Sequence, residues 1–159
     1  MGIDAFVWCD CFERGHLRSP PPPGCSLSVS DDGGLLCGSD DLEVQIAFDR
    51  WRQSDACEHE GGFLVVHRIG NIALIASLRA ELGRRPDKFP VTLSRVICDG
   101  THCGDFIPAA DLPRLASEVE SLADLYCDEP DMEQCMREFA VQMRELVCAA
   151  LLVGKPLVF

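Results

Sequence analysis

With 159 residues, 47% of them hydrophobic and 25% charged, the chain has the balance of a folded protein and enough length for one domain, but not for two independent cores. A formal net charge of −12 argues against binding a nucleic-acid backbone, which needs clustered Lys and Arg. No apolar run approaches the ~18 residues of a membrane span, so no membrane association is expected.

The acidity is uneven. Residues 1–60 hold 12 acids and 4 bases, residues 61–110 hold 4 and 6, and residues 111–145 hold 10 and 3. A middle of +2 therefore lies between flanks of −8 and −7. Solvated surface accounts for such runs, and the competing reading is a face shaped for a basic protein partner.

Asp4, Asp10, Glu13 and Arg14 interrupt the stretch where a signal peptide needs an apolar core. Phe6 stands where a myristoylation signal requires Ser or Thr. A cytoplasmic location is expected. The ten cysteines are then free thiols serving as buried hydrophobes, metal ligands or nucleophiles.

In chain order, Ile3 to Cys9 predicts a buried strand with Cys-Asp-Cys at its end. Period-two alternation would turn Cys9 and Cys11 to one face. Residues 20–24, opening with four prolines, predict a stiff connector within the single domain 1–159. Ser26 to Cys37 reads as a hairpin around Asp31-Asp32-Gly33-Gly34. Asp40, with Glu43 three residues on, predicts a helix cap, and Leu42, Ile46 and Trp51 the helix's buried face.

Phe63 to Val66 predicts another buried strand that ends in His67. Asn71 is the expected cap of a helix with Ile72, Ile75, Leu78 and Leu82 on one face, closed by a left-handed Gly83. Arg79, Arg84, Arg85 and Lys88 form the one basic group, explained by solvation and the helix dipole. Val91 to Cys98 is expected as a strand, followed by a tight Gly-rich loop.

Two helices should close the chain, about 110–126 and 131–153, with Leu157 to Phe159 as a short edge strand. Along the last helix Met136, Phe139, Met143, Leu146 and Ala150 predict core packing rather than a coiled-coil seam. Cys148 and Cys135 are expected in that core, and Cys25, Cys37, Cys98 and Cys127 as structural thiols at element edges. The fold class expected is α+β, one small mixed sheet with about four helices packed on it.

Met1-Gly2-Ile3-Asp4, Val7, Cys9-Asp10-Cys11-Phe12, Gly15, the following prolines and Cys57-Glu58-His59 resemble a family of small uncharacterised bacterial proteins. Those open Met-Gly-Ile, carry Cys-x-Cys before an aromatic and a glycine, then prolines and a later Cys-Glu-His. The likeness covers mainly the first 60 residues. It implies a bacterial origin and no particular activity.

Four chemistries are open to these residues. Cys9, Cys11, Cys57 and His59 would offer a zinc-type ion three sulfurs and one nitrogen, tying the first strand to the middle of the chain in a mainly structural role. Cys-x-Cys and Cys-x-His are weaker signals than Cys-x2-Cys. Alternatively, Cys57 or Cys9 with His59 or His67, oriented by Glu58 or Asp55, would make a hydrolase or transferase site, although no nucleophile elbow surrounds either cysteine. Asp99, His102 and Asp105 could bind a divalent ion or do acid–base work, and equally suit the hydrogen bonds of a Gly-rich turn. Finally, an acidic inhibitor or immunity-type protein would neutralise a basic partner without catalysis. No organic cofactor is indicated.

Overall fold

A computed structural model of the chain describes residues 2–98 and 105–159. Strand β1 (Gly2–Trp8) alternates: Ile3, Ala5 and Val7 are fully buried, whereas Asp4 is exposed and Phe6 and Trp8 turn to the other face. Strand β4 (Phe63–Asn71) pairs antiparallel along its length, from Gly2↔Asn71 to Trp8↔Phe63. It is longer than its apolar run suggests, so His67 lies in mid-strand instead of at the end. On the other side of β1 comes β6 (Leu157–Val158), then β5 (Phe106–Ile107), giving the order β4-β1-β6-β5 with antiparallel pairings throughout.

The C-terminal strand, expected at an edge, is thus interior. Leu157, Val158 and Phe159 are all buried, and a run apolar on both faces suits a position between neighbours.

Helices α2 (Ile72–Leu82), α3 (Leu112–Leu122) and α4 (Pro130–Val153) complete the main core with this sheet. The α+β class holds as expected. Along α4 the stripe Met136, Phe139, Met143, Leu146 and Ala150 is buried, as helical spacing requires. Cys148 falls outside that stripe and is exposed, and Cys135 is half-buried. Helical phase therefore overrules the core placement expected for these two thiols.

Asn71 caps α2 by accepting from the Leu74 amide at 2.9 Å. Gly83 is right-handed at φ −62°, not left-handed, and its N–H donates to the Arg79 carbonyl. Arg84 reaches back to the buried Glu81 at 2.8 Å, with Arg85 at 3.6 Å. Part of the basic group thus compensates a buried carboxylate.

The expected strand over Val91 to Cys98 is instead a π-helical turn, Thr92–Val96, closed by the Ile97 amide donating to the Thr92 carbonyl at 2.9 Å. Buried Glu118 of α3 decides this. Its carboxylate accepts from the amides of Val91 (2.9 Å) and Thr92 (2.8 Å) and from the Thr92 hydroxyl (2.9 Å), satisfying donors that a helix start leaves free. Asp99 and His102 lie outside the described residues.

A second, smaller cluster sits beside the sheet. Strands β2 (Leu27–Val29) and β3 (Leu35–Cys37) form the expected hairpin, turned at Gly33 with φ +87°. Helix α1 (Leu42–Ser54) is capped by Asp41, not Asp40, through the Glu43 amide at 2.8 Å. Its buried residues are Phe48 and Trp51, whereas Leu42 and Ile46 are exposed. Phe48, Trp51 and Ala56 form the cluster's centre, and Leu17, Cys25, Leu27, Leu35 and Cys37 pack against it.

Cys25 and Cys37 are joined as a disulfide across this hairpin, not separate thiols. Residues 20–24 run irregularly beside it, with the Cys25 amide donating to the Pro22 carbonyl. Lys155, beyond the left-handed Gly154 that ends α4, is buried and binds the Gly33 carbonyl at 2.8 Å and Glu13 at 2.7 Å. The hairpin and the residue 9–24 segment are thereby held to the sheet. No helix among the described residues is long and apolar enough to cross a membrane.

Candidate metal centre

Strand β1 ends at Trp8, so Cys9 and Cys11 do not share a strand face as alternation predicts. The Cys9 amide donates to the Gly62 carbonyl at 2.8 Å, and the chain then turns, with the His16 amide returning to the Cys11 carbonyl at 2.7 Å. Arg14 pairs with Asp10 across the turn at 2.5 Å. A turn, not a pleat, brings the Cys11 thiol back beside Cys9.

The opposing loop leaves α1 when the Asp55 and Ala56 amides both donate to the Trp51 carbonyl. Cys57 and His59 follow, and Gly61 and Gly62, at φ +64° and +80°, re-enter β4. Those angles favour glycine over any residue with a Cβ. The Arg18 amide donates to the Ala56 carbonyl at 2.8 Å, linking the two loops a second time.

Four ligand atoms converge here. The Cys9 and Cys57 sulfurs are 3.7 Å apart, the Cys11 sulfur is 3.3 Å from His59 Nδ1, and the Cys57 sulfur is 3.9 Å from that same nitrogen. All four atoms lie within 4.8 Å of one another, and the cluster could hold a metal ion. For a tetrahedral zinc with sulfurs at about 2.3 Å and nitrogen at about 2.0 Å, the ligand edges are about 3.8 Å for S···S and about 3.5 Å for S···N.

Cys11 and Cys57 are buried, Cys9 and His59 half-buried. Burial raises the Cys9 thiol above its usual value, and the neighbouring Cys57 adds to this against a lowering contribution from the Cys11 amide. Cys11 is pushed up to about 12, first by burial and then by Cys9 and Cys57. Without a cation beside them, the Cys9 and Cys11 thiols resist ionisation.

The other expected candidates lie elsewhere. His67 binds Glu145 of α4 at 2.7 Å and is absent from the cluster, and Glu58 and Asp55 are exposed. Asp105 contributes its backbone carbonyl to the Phe159 amide at 2.9 Å. His16 is exposed.

Two neighbours of the cluster had no signal in the sequence. Trp8 stacks on Phe63 with centroids 4.7 Å apart, and the Arg52 guanidinium lies 5.3 Å from the Trp8 ring centre. Trp-Arg in a helical pattern is unremarkable; only the return of β1 beside α1 gives it meaning.

No family model matches this chain, and no curated protein or solved structure matches it.

Proposed function

We propose that this protein binds a divalent transition metal, zinc by the character of its donors, through Cys9, Cys11, Cys57 and His59. The convergence of three sulfurs and one imidazole nitrogen within 4.8 Å of one another, with three of the separations at 3.3, 3.7 and 3.9 Å, carries this reading. Four protein ligands complete the preferred coordination number and leave no position for a substrate, which is the arrangement of a structural zinc. The metal's work is to staple the turn after β1 to the loop before β4. That junction otherwise rests on backbone hydrogen bonds, on the Ser19 hydroxyl between Asp55 and Trp51, and on the stacking of Trp8 on Phe63. A bacterial origin and a cytoplasmic location complete the proposal.

The test is metal content. Purified protein should retain one equivalent of zinc through dialysis, Cys9→Ser and His59→Ala should each lose it, and both should melt earlier. Metal-free protein whose melting is indifferent to these replacements would sink the reading.

A net charge of −12 supports a second role compatible with the first, that of an acidic inhibitor or immunity-type protein docking on a basic partner. Salt-sensitive co-purification of such a partner tests it. The hydrolase or transferase reading has less support, because burial raises Cys9, whereas a nucleophilic thiol needs the opposite shift, and the carboxylates offered to orient the base, Glu58 and Asp55, are exposed.

A further inference from the structure

The geometry points to Arg52 as the built-in counter-ion of the metal–thiolate cluster, a positioning residue that acts through the cysteine sulfurs. The inference rests on the metal-binding reading above and goes on to fix the charge of the site. A small cavity of about 20 Å³ beside the cluster is lined by Cys9, Cys11 and Cys57 together with Trp8 and Arg52. Arg52 occupies the last turn of α1, where Trp51 is fastened by its indole N–H to the Ser19 hydroxyl at 2.8 Å. Its guanidinium lies 5.3 Å from the Trp8 ring centre and 5.9 Å from that of Phe48. Aromatic faces attract a cation but do not neutralise it.

Two facts, taken together, single this arginine out. Its Nε is buried and has no hydrogen-bond partner. The salt bridges shown among the described residues engage Arg14, Arg68, Arg84, Arg85, Arg137 and Arg144, not Arg52. A buried donor on an unpaired cation is costly, because the protein gives it nothing in place of water.

Metal loading supplies what is missing. Three cysteine thiols release three protons and a divalent ion enters, so the Cys3His centre carries a net charge of −1. Its sulfurs, now thiolates, accept hydrogen bonds. The arginine then stands beside an anion of opposite charge, and the cluster gains a fixed cation that favours its thiolate form. Partners of this kind tune a site substantially, and their loss costs metal affinity by about 10–100-fold.

Cobalt titration of the full-length protein reads this directly, since tetrahedral Co2+ bound to thiolates absorbs in the visible and shows a sulfur-to-metal charge-transfer band. Arg52→Met should bind one Co2+ about 10–100-fold more weakly, with its charge-transfer band shifted to lower energy because the thiolates are less stabilised. Arg52→Lys should recover most of the affinity. Should Arg52→Met fail to fold, Arg52→Gln is the neutral variant to compare with Arg52→Lys. Neutral variants that bind cobalt with wild-type affinity and an unshifted band would overturn the proposal and leave Arg52 as a helix-end cation on an aromatic cluster. If the wild-type protein takes up no cobalt or zinc, the metal reading itself falls, and the counter-ion with it.

Discussion

The Cys11 sulfur and His59 Nδ1 lie 3.3 Å apart although 48 positions separate them in the chain. Each residue is held by its own loop, and each loop is closed by backbone bonds that do not involve the side chain. The pair therefore meets because two turns are pinned to each other, by Cys9 to Gly62 and by Arg18 to Ala56, and a metal held by the four ligands would add to that pinning. Removing the metal should consequently loosen this junction while leaving the main sheet–helix core in place. Hydrogen exchange on metal-free protein should show faster exchange confined to residues near 9–18 and 55–62, with α4 unaffected.

Metal retention should fall steeply with acid. Cys9 is raised and Cys11 pushed up to about 12, so at neutral pH loading displaces a proton from each thiol, and apparent affinity changes by up to about a thousandfold per pH unit if three are displaced. Zinc competition with a chelator between pH 6 and 8 measures the slope. A flat profile would mean that the thiols are not the ligands.

The metal-free protein should show the reverse dependence at high pH. A thiol raised from 9.0 to about 12 in the folded state favours folding fully below pH 9, and that contribution is lost as pH rises towards 12. Urea midpoints should hold steady from pH 7 to 8.5 and fall above pH 9. Cys11→Ala should abolish much of the fall.

Cys25 and Cys37 should resist alkylation until the protein is reduced, unlike the exposed thiol of Cys148. A link across a sequence separation of 12 stabilises the oxidised fold by about 3 kcal/mol on chain-entropy grounds. Replacing both by Ala should lower stability by that order under oxidising conditions and by much less in the presence of reductant. Peptide mass mapping checks the pairing.

Glu118→Ala should destabilise by about 2–4 kcal/mol, because it leaves the buried Val91 and Thr92 amides and the Thr92 hydroxyl without their charged acceptor. Glu118→Gln, which keeps one acceptor but turns an NH2 towards those donors, should cost somewhat less. Both effects should appear in urea denaturation with zinc content unchanged, since the contact is remote from the cluster in the chain.

Helical and alternating patterns carried much of the fold. The stripe from Met136 to Ala150, the Asn71 cap and the Ser26–Cys37 hairpin are local matters, settled by side-chain periodicity and by residues that satisfy nearby amides. Val91 to Cys98 misled because its alternation is short and the deciding group, Glu118, is contributed by another helix. The apolar C-terminal tripeptide announced a strand but not its neighbours, and only the order β4-β1-β6-β5 made it interior.

The candidate site divides in the same way. Residue type and clustering named Cys9, Cys11, Cys57 and His59, because thiols and an imidazole in two short loops are chemically conspicuous wherever the loops lie. What joined them was the antiparallel pairing of β1 with β4, which sets Trp8 opposite Phe63 and so brings the residues just after one strand against those just before the other. Trp8 of β1 and Arg52 of α1 meet at the cavity wall. Ligand chemistry is a property of single residues and can be read along a chain; the distances between ligands, and the charge that faces them, depend on strands meeting across dozens of positions and belong to the tertiary structure alone.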